Sequence, residues 1–276
     1  MYVYRLVPNN VKSAYGGPEK ANNALKETPT RHGRFVIASV APHVSTERWL
    51  LSTIPWGTPL RTNAKKEMEV QLNGKWVGLH TLPGWRERYG SYPPGVAILV
   101  RETYNKLIKK LIISKFNSIQ RKEVPAPWNE DLPKTWVLND FGQVAVKYFV
   151  DTNHNRKLDG KETILSDFIH TTPDEELELL VGKKLKPSSP MMLGPSHGCI
   201  HMLPDIMQNW VAQGILKVGA TLVVHKYVES TIINSFESAT GREGAIEIHF
   251  YPGIRNIALY RTTKKQLRHS LHPAHD

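Results

Sequence analysis

Short apolar runs, many of them ended by a proline or glycine turn, recur along the chain and constrain its fold more than any other feature. Runs of this length that are rich in β-branched and aromatic residues are typical of strands. They lie at Phe35–Val40, Met68–Leu72, Lys75–His80, Val144–Val150, Thr163–His170, Ala220–His225, Ile246–Tyr251 and Ile257–Tyr260. Asn73-Gly74 predicts a hairpin turn between two of these runs, and Pro252-Gly253 predicts a last hairpin. We therefore expect a mainly β fold with some α structure.

Two segments have helical periodicity instead. Residues 101–122 carry apolar residues at helical spacing on one face, and the segment has seven Lys or Arg residues against one Glu. This basic helix is interpreted either as a solvated face or as a contact with a wall or membrane surface. Pro204–Leu216 is predicted to form the second helix, with Gly214 in its last turn. Residues 1–33 are polar and without periodicity, so we expect an irregular arm, and the basic tail from Arg261 is expected to fray.

Composition and charge narrow the possible partners. The chain has 276 residues and a net charge of +11, which favours a polyanionic partner such as an acidic cell wall, or serves solubility alone. No zinc finger, RNP-type strand or KH-type loop is present, so nucleic acid is not an expected partner. No run approaches the roughly 18 apolar residues of a membrane helix, so no transmembrane segment is expected. Met1–Pro8 lacks the features of a secretory signal, which leaves a cytoplasmic chain, a trimmed mature form or another export route.

Cys199 is the only cysteine of the chain, and it lies in the segment Leu193–Pro204. A catalytic cysteine needs a base, backbone donors for an oxyanion and access for substrate. Gly198 permits an unusual backbone beside the thiol and lets a carbonyl approach the adjacent N–H groups. The helix predicted to begin near Pro204 is expected to help stabilise a thiolate through its dipole. A nucleophile is the favoured interpretation, and a buried, inert thiol is the alternative.

The motif Ser196-His197-Gly198-Cys199 resembles the Ser/Thr-His-Gly-Cys signature of the L,D-transpeptidases, which remodel bacterial peptidoglycan. The helix and final strand predicted after the cysteine are also similar to the end of that family's domain. The resemblance implies a mixed sheet or flattened β-barrel with peripheral helices. It covers residues 136–227 best and extends less fully back to residue 34. We accordingly divide the chain into the arm (1–33), a catalytic domain (34–228) and a C-terminal hairpin with a basic tail (229–276).

The resemblance also implies roles for individual residues. In that family a histidine on a strand before the cysteine loop is the base, and Phe168–Pro173 matches this context at His170. Cys199 would be the nucleophile, and the backbone of His197, Gly198 and Cys199 would supply the oxyanion donors. Ser196 and His201 are expected to contact substrate, with His201 standing where the family usually has Asn or Arg. Residues 174–190 form an insertion between base and nucleophile and are expected to fold as a polar lid.

Two alternative assignments stay open at this point. His80, in the similar context Leu-His-Thr-Leu-Pro, is a second candidate base. His197, Cys199 and His201 alternate as strand neighbours do, so that they would share one face and hold zinc, although the sequence shows no fourth ligand.

Residues 151–162 match a twelve-residue calcium-binding loop. Calcium takes six to eight oxygen ligands, and the loop has oxygen side chains at positions 1, 3, 5, 9 and 12 and a backbone carbonyl at position 7. The candidate ligands are Asp151, Asn153, Asn155, Lys157, Asp159 and Glu162. Arg156 stands at position 6, where glycine is usual. The alternative is a polar hairpin loop without metal.

The function implied by the resemblance is acyl transfer on peptidoglycan tetrapeptide stems. The thiol would displace the terminal D-Ala, and an amine or water would resolve the thioester, with no cofactor required for catalysis. Such an enzyme would act in the cell envelope, periplasmic or extracellular. Two further hypotheses are a signal-less toxin that attacks a rival's wall with the same chemistry, and a calcium-stabilised wall-binding module without turnover.

Overall fold

A computed structural model describes residues 2–45, 50–89, 93–116, 132–177, 179, 193, 196–234, 236–237 and 244–266. The strands are β1 (Tyr2–Tyr15), β2 (Gly33–Ala41), β3 (Leu60–Thr62), β4 (Met68–Leu72), β5 (Lys75–Gly78), β6 (Ala145–Phe149), β7 (Ile164–His170), β8 (Ile200–Met202), β9 (Thr221–Val224), β10 (Phe236–Glu237), β11 (Ile246–Tyr251) and β12 (Asn256–Gln266). The helices are α1 (Trp85–Tyr89), α2 (Pro93–Phe116) and α3 (Pro204–Ala212), with 3-10 turns at Leu50–Thr53, Leu79–Thr81 and Pro252–Ile254. The predicted mainly β fold is confirmed.

A nine-stranded mixed sheet dominates the molecule, in the order β10-β1-β12-β11-β9-β2-β6-β7-β8. The sheet closes on itself because the end of β1 also pairs with β8, at Ala14↔Met202 and Tyr15↔His201. The pairs β9–β11 and β7–β8 are parallel. A separate three-stranded sheet contains β3, β4 and β5. The described part of the chain contains no helix that is long and apolar enough to cross a membrane.

The main core fills the closed sheet. Alternate residues of the strands, among them Ile37, Ile169, Ile200 and Leu222, form one buried cluster with Trp210 of α3. This alternation is the period of two that strands impose on their side chains. A second cluster packs the small sheet against α1, α2 and the segment that follows residue 131, with Trp85 and Trp136 fully buried at its centre.

The N-terminal arm is a strand rather than an irregular segment. β1 pairs with β12 from Tyr2↔Gln266 to Ser13↔Asn256, so the prediction for residues 1–33 is wrong over 2–15. The same pairing keeps Arg261–Gln266 in β12, where fraying was expected. The polar composition of this segment did not predict a strand, because strand formation depends on the neighbouring strands, and β1 has strands on both edges. The predicted arm (1–33), catalytic domain (34–228) and C-terminal segment (229–276) therefore all contribute strands to one sheet.

The basic helix begins earlier than predicted. α2 starts at Pro93 rather than at residue 101. Proline is compatible with this position, because its missing N–H would have no helical partner in a first turn. The predicted residues 117–122 lie outside the described residues.

A row of ionisable side chains, most of them buried, lies along β2, β9 and β11 on the face of the sheet opposite the main core. Arg34 donates to Glu247 through Nη1 (3.1 Å), and His249 Nε2 lies 3.3 Å from the same carboxylate. His249 Nδ1 is 3.0 Å from His225 Nε2, and His225 Nδ1 is 2.7 Å from Glu229. Burial alone would raise the pKa of Glu247, but the hydrogen bonds from His249 and Arg34 outweigh it and lower the pKa to about 2.

Glu247→Gln is expected to lower the free energy of unfolding by about 2 kcal/mol at pH 7. A carboxyl pKa that is depressed in the folded state stabilises the protein above the unfolded-state value of 4.5, and this stabilisation is lost as the pH falls from there towards 2. Urea unfolding at pH 7 and at pH 2.5 measures the difference, with the exposed Glu19→Gln as the control. The same deficit at both pH values in Glu247→Gln would contradict the role of this carboxylate.

Candidate functional site

Cys199 and His170 lie on two neighbouring parallel strands. Cys199 immediately precedes β8, and His170 ends β7. The register pairs Ile169 with Ile200 and His170 with His201, and both isoleucines point into the core. Cys199 therefore lies across from Phe168, two residues before His170, and Phe168 N–H donates to its Sγ (3.5 Å). The pairing of the two strands thus brings together the two segments that the sequence singled out.

The turn before Cys199 requires glycine. Gly198 has a φ of +131°, and a Cβ there would lie 2.7 Å from Thr28 Oγ1. The loop after β1 packs against it so closely that a Cβ on Gly17 would lie 3.0 Å from Gly198 Cα. Both glycines thus allow two backbone segments to touch at the nucleophile.

Ser196 and Thr28 hold this turn in place. Ser196 is 1% exposed; its Oγ accepts a hydrogen bond from Gly198 N–H (3.2 Å) and donates one to the Cys199 carbonyl. The hydroxyl of Ser196 is thus buried within the turn, and its expected contact with substrate stays a prediction. His197 is exposed, and its carbonyl accepts hydrogen bonds from Thr28 N–H (3.3 Å) and Thr28 Oγ1 (2.9 Å). The peptide between His197 and Gly198 is consequently fixed at both ends.

The Cys199 thiol is protonated at neutral pH in this conformation. Burial raises its pKa to about 11, the nearby Asp167 carboxylate adds to the effect, and a hydrogen bond from Phe168 N–H to Sγ (3.5 Å) opposes it. The expectation of a thiolate stabilised by a helix dipole is not met. α3 begins five residues after the cysteine, at Pro204, and the dipole acts mainly within the first turn of a helix.

His170 is neutral, and a backbone carbonyl fixes its tautomer. Its Nδ1 lies 2.7 Å from the Thr171 carbonyl oxygen, which only accepts hydrogen bonds, so Nδ1 carries the proton and Nε2 has the free lone pair. Burial is the largest cause that lowers its pKa to about 3, and the neighbouring His201 adds to it. No hydrogen bond joins His170 to Cys199 Sγ among the described residues. Catalytic hydrogen bonds often form only when substrate is bound.

His201 lies behind the base rather than in a substrate cleft. It is 7% exposed, its ring centroid is 4.8 Å from that of His170, and its Nδ1 is 3.7 Å from Glu175 Oε1. Glu175 is held in turn by Thr172 N–H, at 2.7 Å from Oε2. The expected substrate contact of His201 is corrected to a place in a buried row of His170, His201 and Glu175.

The start of the predicted lid is packed into the protein. Residues 173–177 are helical, and Glu175 and Glu176 are 3% and 2% exposed. Glu176 accepts hydrogen bonds from Thr171 Oγ1 (2.6 Å) and Gln143 Nε2 (3.1 Å), and burial raises its pKa. Leu177 belongs to the second core cluster. The lid prediction is therefore wrong for 174–177, while residues 178 and 180–190 lie outside the described residues.

An aromatic wall flanks the base, and the sequence did not reveal it. The ring centroid of Phe141 lies 5.1 Å from that of His170 and 4.4 Å from that of His43. His43 also contacts Phe168, at 5.0 Å between centroids, and burial lowers the pKa of His43. These residues come from three distant segments and carry no local motif, so only the folded chain brings them together.

Comparisons of the chain with protein families, with characterised proteins and with solved structures found no match. The functional argument therefore depends on the residues of the site and on their geometry.

The structure separates the two alternative assignments from the site. His80 lies in the 3-10 turn after β5, with its ring close to Gly78, in the part of the molecule built on the small sheet. The zinc alternative needs converging side chains, but His197 is exposed and His201 is buried beside His170. Within the described ranges no three His, Cys, Asp or Glu side chains are grouped as a metal site would require.

The calcium-loop segment is closed by its own hydrogen bonds. Asn153 Nδ2 and Asn155 Nδ2 donate to the two oxygens of Asp159 (2.8 and 2.7 Å), and Glu162 Oε1 accepts the Thr152 N–H (2.7 Å). Lys157 N–H donates to Asn155 Oδ1 (2.7 Å). The candidate ligand side chains thus lie within one compact loop.

Arg156 takes over the role of the missing glycine in that loop. Its φ is +62°, the left-handed conformation that favours glycine, and its N–H donates to Asp151 Oδ2 (3.1 Å). Its guanidinium donates to the Gly219 carbonyl (2.6 Å from Nη2) and to Thr221 Oγ1 (3.0 Å). These bonds to β9 and the turn before it compensate for the strained backbone, so the misfit at position 6 does not prevent the turn.

Proposed function

We propose that this chain is a cysteine acyltransferase of the L,D-transpeptidase type that acts on peptidoglycan tetrapeptide stems. The observation that carries the proposal is the pairing of β7 with β8, which places His170 and the Cys199 turn on neighbouring strands. The closed mixed sheet and the glycine turn at the nucleophile also support it. The residues in these positions match those that the Ser-His-Gly-Cys resemblance assigned.

The first step forms a thioester. Cys199 Sγ attacks the carbonyl between the L-centre of the diamino acid and the terminal D-Ala, while the thiol proton passes to His170 Nε2. The C–N bond then breaks, and the imidazolium returns this proton to the leaving nitrogen, so that D-Ala departs as a neutral amine that still carries its carboxylate. Starting from a neutral thiol and a neutral imidazole, the step creates charge only as the bond forms. This suits the buried surroundings of both groups, because burial disfavours a resting ion pair.

The second step resolves the thioester. An amine from another stem attacks the carbonyl carbon, His170 takes the proton of the amine, and the C–S bond breaks to regenerate the thiol with that proton. Water in place of the amine gives hydrolysis. In both steps the backbone N–H groups of His197, Gly198 and Cys199 are the proposed oxyanion donors. Gly198 N–H would then give up its hydrogen bond to the Ser196 hydroxyl and donate to the oxyanion instead. Thr28 would keep its hydrogen bonds to the His197 carbonyl oxygen of the same peptide.

Purified tetrapeptide stems test the proposal. The full chain should release D-Ala and leave either a cross-linked dimer or a tripeptide, both measured by chromatography and mass spectrometry. Stems that already end at the diamino acid serve as the control, since they contain no D-Ala to displace. Failure to release D-Ala from any stem would reject the acyltransferase and leave the wall-binding module as the remaining hypothesis.

The proposed place of action is the cell envelope, periplasmic or extracellular. The same chemistry would serve a toxin that attacks a rival's wall, and the net charge of +11 suits an acidic wall in either case. Expression of the chain with an added signal peptide distinguishes the two roles: lysis of the producing cell is expected only of the toxin.

We also propose that the loop 151–162 binds calcium, which requires Asp151, Asp159 and Glu162 to turn towards one point from their present hydrogen-bonded positions, where they are not grouped as a metal site. Millimolar calcium is then expected to raise the melting temperature, because a ligand at a hundredfold excess over Kd stabilises the folded state by about 2.7 kcal/mol. The double variant Asp151→Ala, Glu162→Ala should lose this rise, whereas Glu19→Gln, an exposed residue outside the loop, should keep it. Identical melting curves in calcium and in chelator would reject the site.

A further inference from the structure

A cleft of about 490 Å³ lies on the small sheet, where β3 and β5 meet α2 and the segment 132–134. It is distinct from the Cys199 site, whose residues belong to the large sheet. Its walls combine positive charge with an aromatic face: the lining includes Leu60, Arg61, Trp76, Arg101, Pro133 and Lys134.

The walls of this cleft are held in place without a ligand. Leu60 N–H donates to the Lys134 carbonyl (2.8 Å), which fixes the segment 132–134 against β3. Arg61 Nε donates to Glu69 (2.7 Å), and its guanidinium carbon lies 4.1 Å from the centre of the Trp76 ring. The segment 132–134 and the Arg61–Trp76 pair therefore need little ordering when a ligand enters, which favours affinity.

The charge and exposure of the lining point to one ligand chemistry. Arg61, Arg101 and Lys134 bring three cations, against the single carboxylate of Glu69 bonded to Arg61. Trp76 is 36% exposed, so part of its indole remains accessible although Arg61 lies over the ring. Cations match carboxylates or phosphates, and an indole face packs on the apolar face of a ring.

We propose that this cleft binds an anionic saccharide, with a sugar ring against Trp76 and its acidic group held by Arg101 and Lys134. Its source is the peptidoglycan glycan strand with its stem carboxylates, an identification that rests on the proposed function. The cleft holds the polymer while Cys199 acts on a stem. This is a task separate from catalysis, and it gives the small sheet and α2 a function.

Binding to purified peptidoglycan tests the cleft directly. The full chain with Cys199→Ala, which cannot alter the polymer, is incubated with sacculi, and the bound fraction is measured by sedimentation. Adding Trp76→Ala or Arg101→Ala should weaken binding at least about tenfold, as expected for central aromatic and arginine contacts. Trp76→Phe should retain part of the affinity. Arg86→Ala is the matched control, because Arg86 is exposed on α1 and does not line the cleft.

Two further measurements separate the possible failures. Polygalacturonate serves as an acidic saccharide without stems. Sacculi are expected to bind; if only polygalacturonate binds, and Trp76→Ala and Arg101→Ala weaken that binding, the cleft recognises an anionic saccharide. Peptidoglycan is then rejected as the source of this saccharide. D-Ala release from soluble stems is measured separately on the parent with the intact Cys199, so the absence of that activity rejects only the acyltransferase. Equal binding of sacculi by the parent, Trp76→Ala and Arg101→Ala overturns the cleft proposal.

Discussion

Cys199→Ala is expected to reduce D-Ala release by at least about 10⁴-fold, the size of effect seen when a nucleophile is removed. The chain has no other cysteine, so no second thiol can form the thioester. The substitution should leave the fold intact, because Sγ makes a single weak hydrogen bond, with Phe168 N–H at 3.5 Å. Turnover of tetrapeptide stems and the melting temperature are measured on the same preparation.

Cys199→Ser provides the sharper control for this variant. It keeps a hydroxyl nucleophile of similar size, but an alcohol is a poorer nucleophile than a thiol beside the same base. Its activity should therefore lie far below that of the parent, close to that of Cys199→Ala. Turnover by Cys199→Ala within tenfold of the parent would show that the cysteine is not the nucleophile.

His170→Ala is expected to slow formation of the thioester by ~10²–10⁴-fold, the usual contribution of a general base. With the thiol pKa near 11, almost no thiolate exists at neutral pH, so attack depends on proton transfer to a neighbouring base. Raising the pH should partly restore the activity of His170→Ala, because hydroxide then removes the proton that His170 would have taken. Single-turnover acylation across pH 7 to 10 measures both effects.

Two histidine variants serve as controls for this assignment. His80→Ala should have little effect, since His80 lies near the small sheet. His201→Ala should have an intermediate effect, because His201 packs against the His170 ring. A larger loss in His80→Ala than in His170→Ala, with equal stability, would transfer the role of base to His80.

The sequence predicted the strands with apolar alternation and the chemistry of the cysteine turn. β2, β4, β5, β6, β7, β9, β11 and β12 overlap the predicted runs, since burial on one face of a sheet imposes a local pattern. The sequence predicted an unusual backbone conformation at Gly198, and its φ is +131°. A Cβ at this position would also lie only 2.7 Å from Thr28 Oγ1. Local patterns of this kind can be recognised without knowledge of the rest of the fold.

Features made by long-range pairing escaped prediction. β1 has little alternation of its own and becomes a strand because β12 lies along its length. Glu175 was placed in an exposed lid because charged residues are rarely buried, yet it lies beside His201 and Thr172. The contact of His43 with Phe141 joins residues almost 100 positions apart, and nothing local in either segment indicates it.

The most direct test of the central claim is the mass of the protein after brief incubation with a tetrapeptide stem and no amine acceptor. The account predicts a covalent adduct equal to the stem without its terminal D-Ala, attached through a thioester that hydroxylamine cleaves and that peptide mapping assigns to Cys199. The adduct should accumulate in the parent and be absent from Cys199→Ala. D-Ala release without any adduct on Cys199, even when the reaction is quenched with acid within its first turnover, would contradict a cysteine acyltransferase.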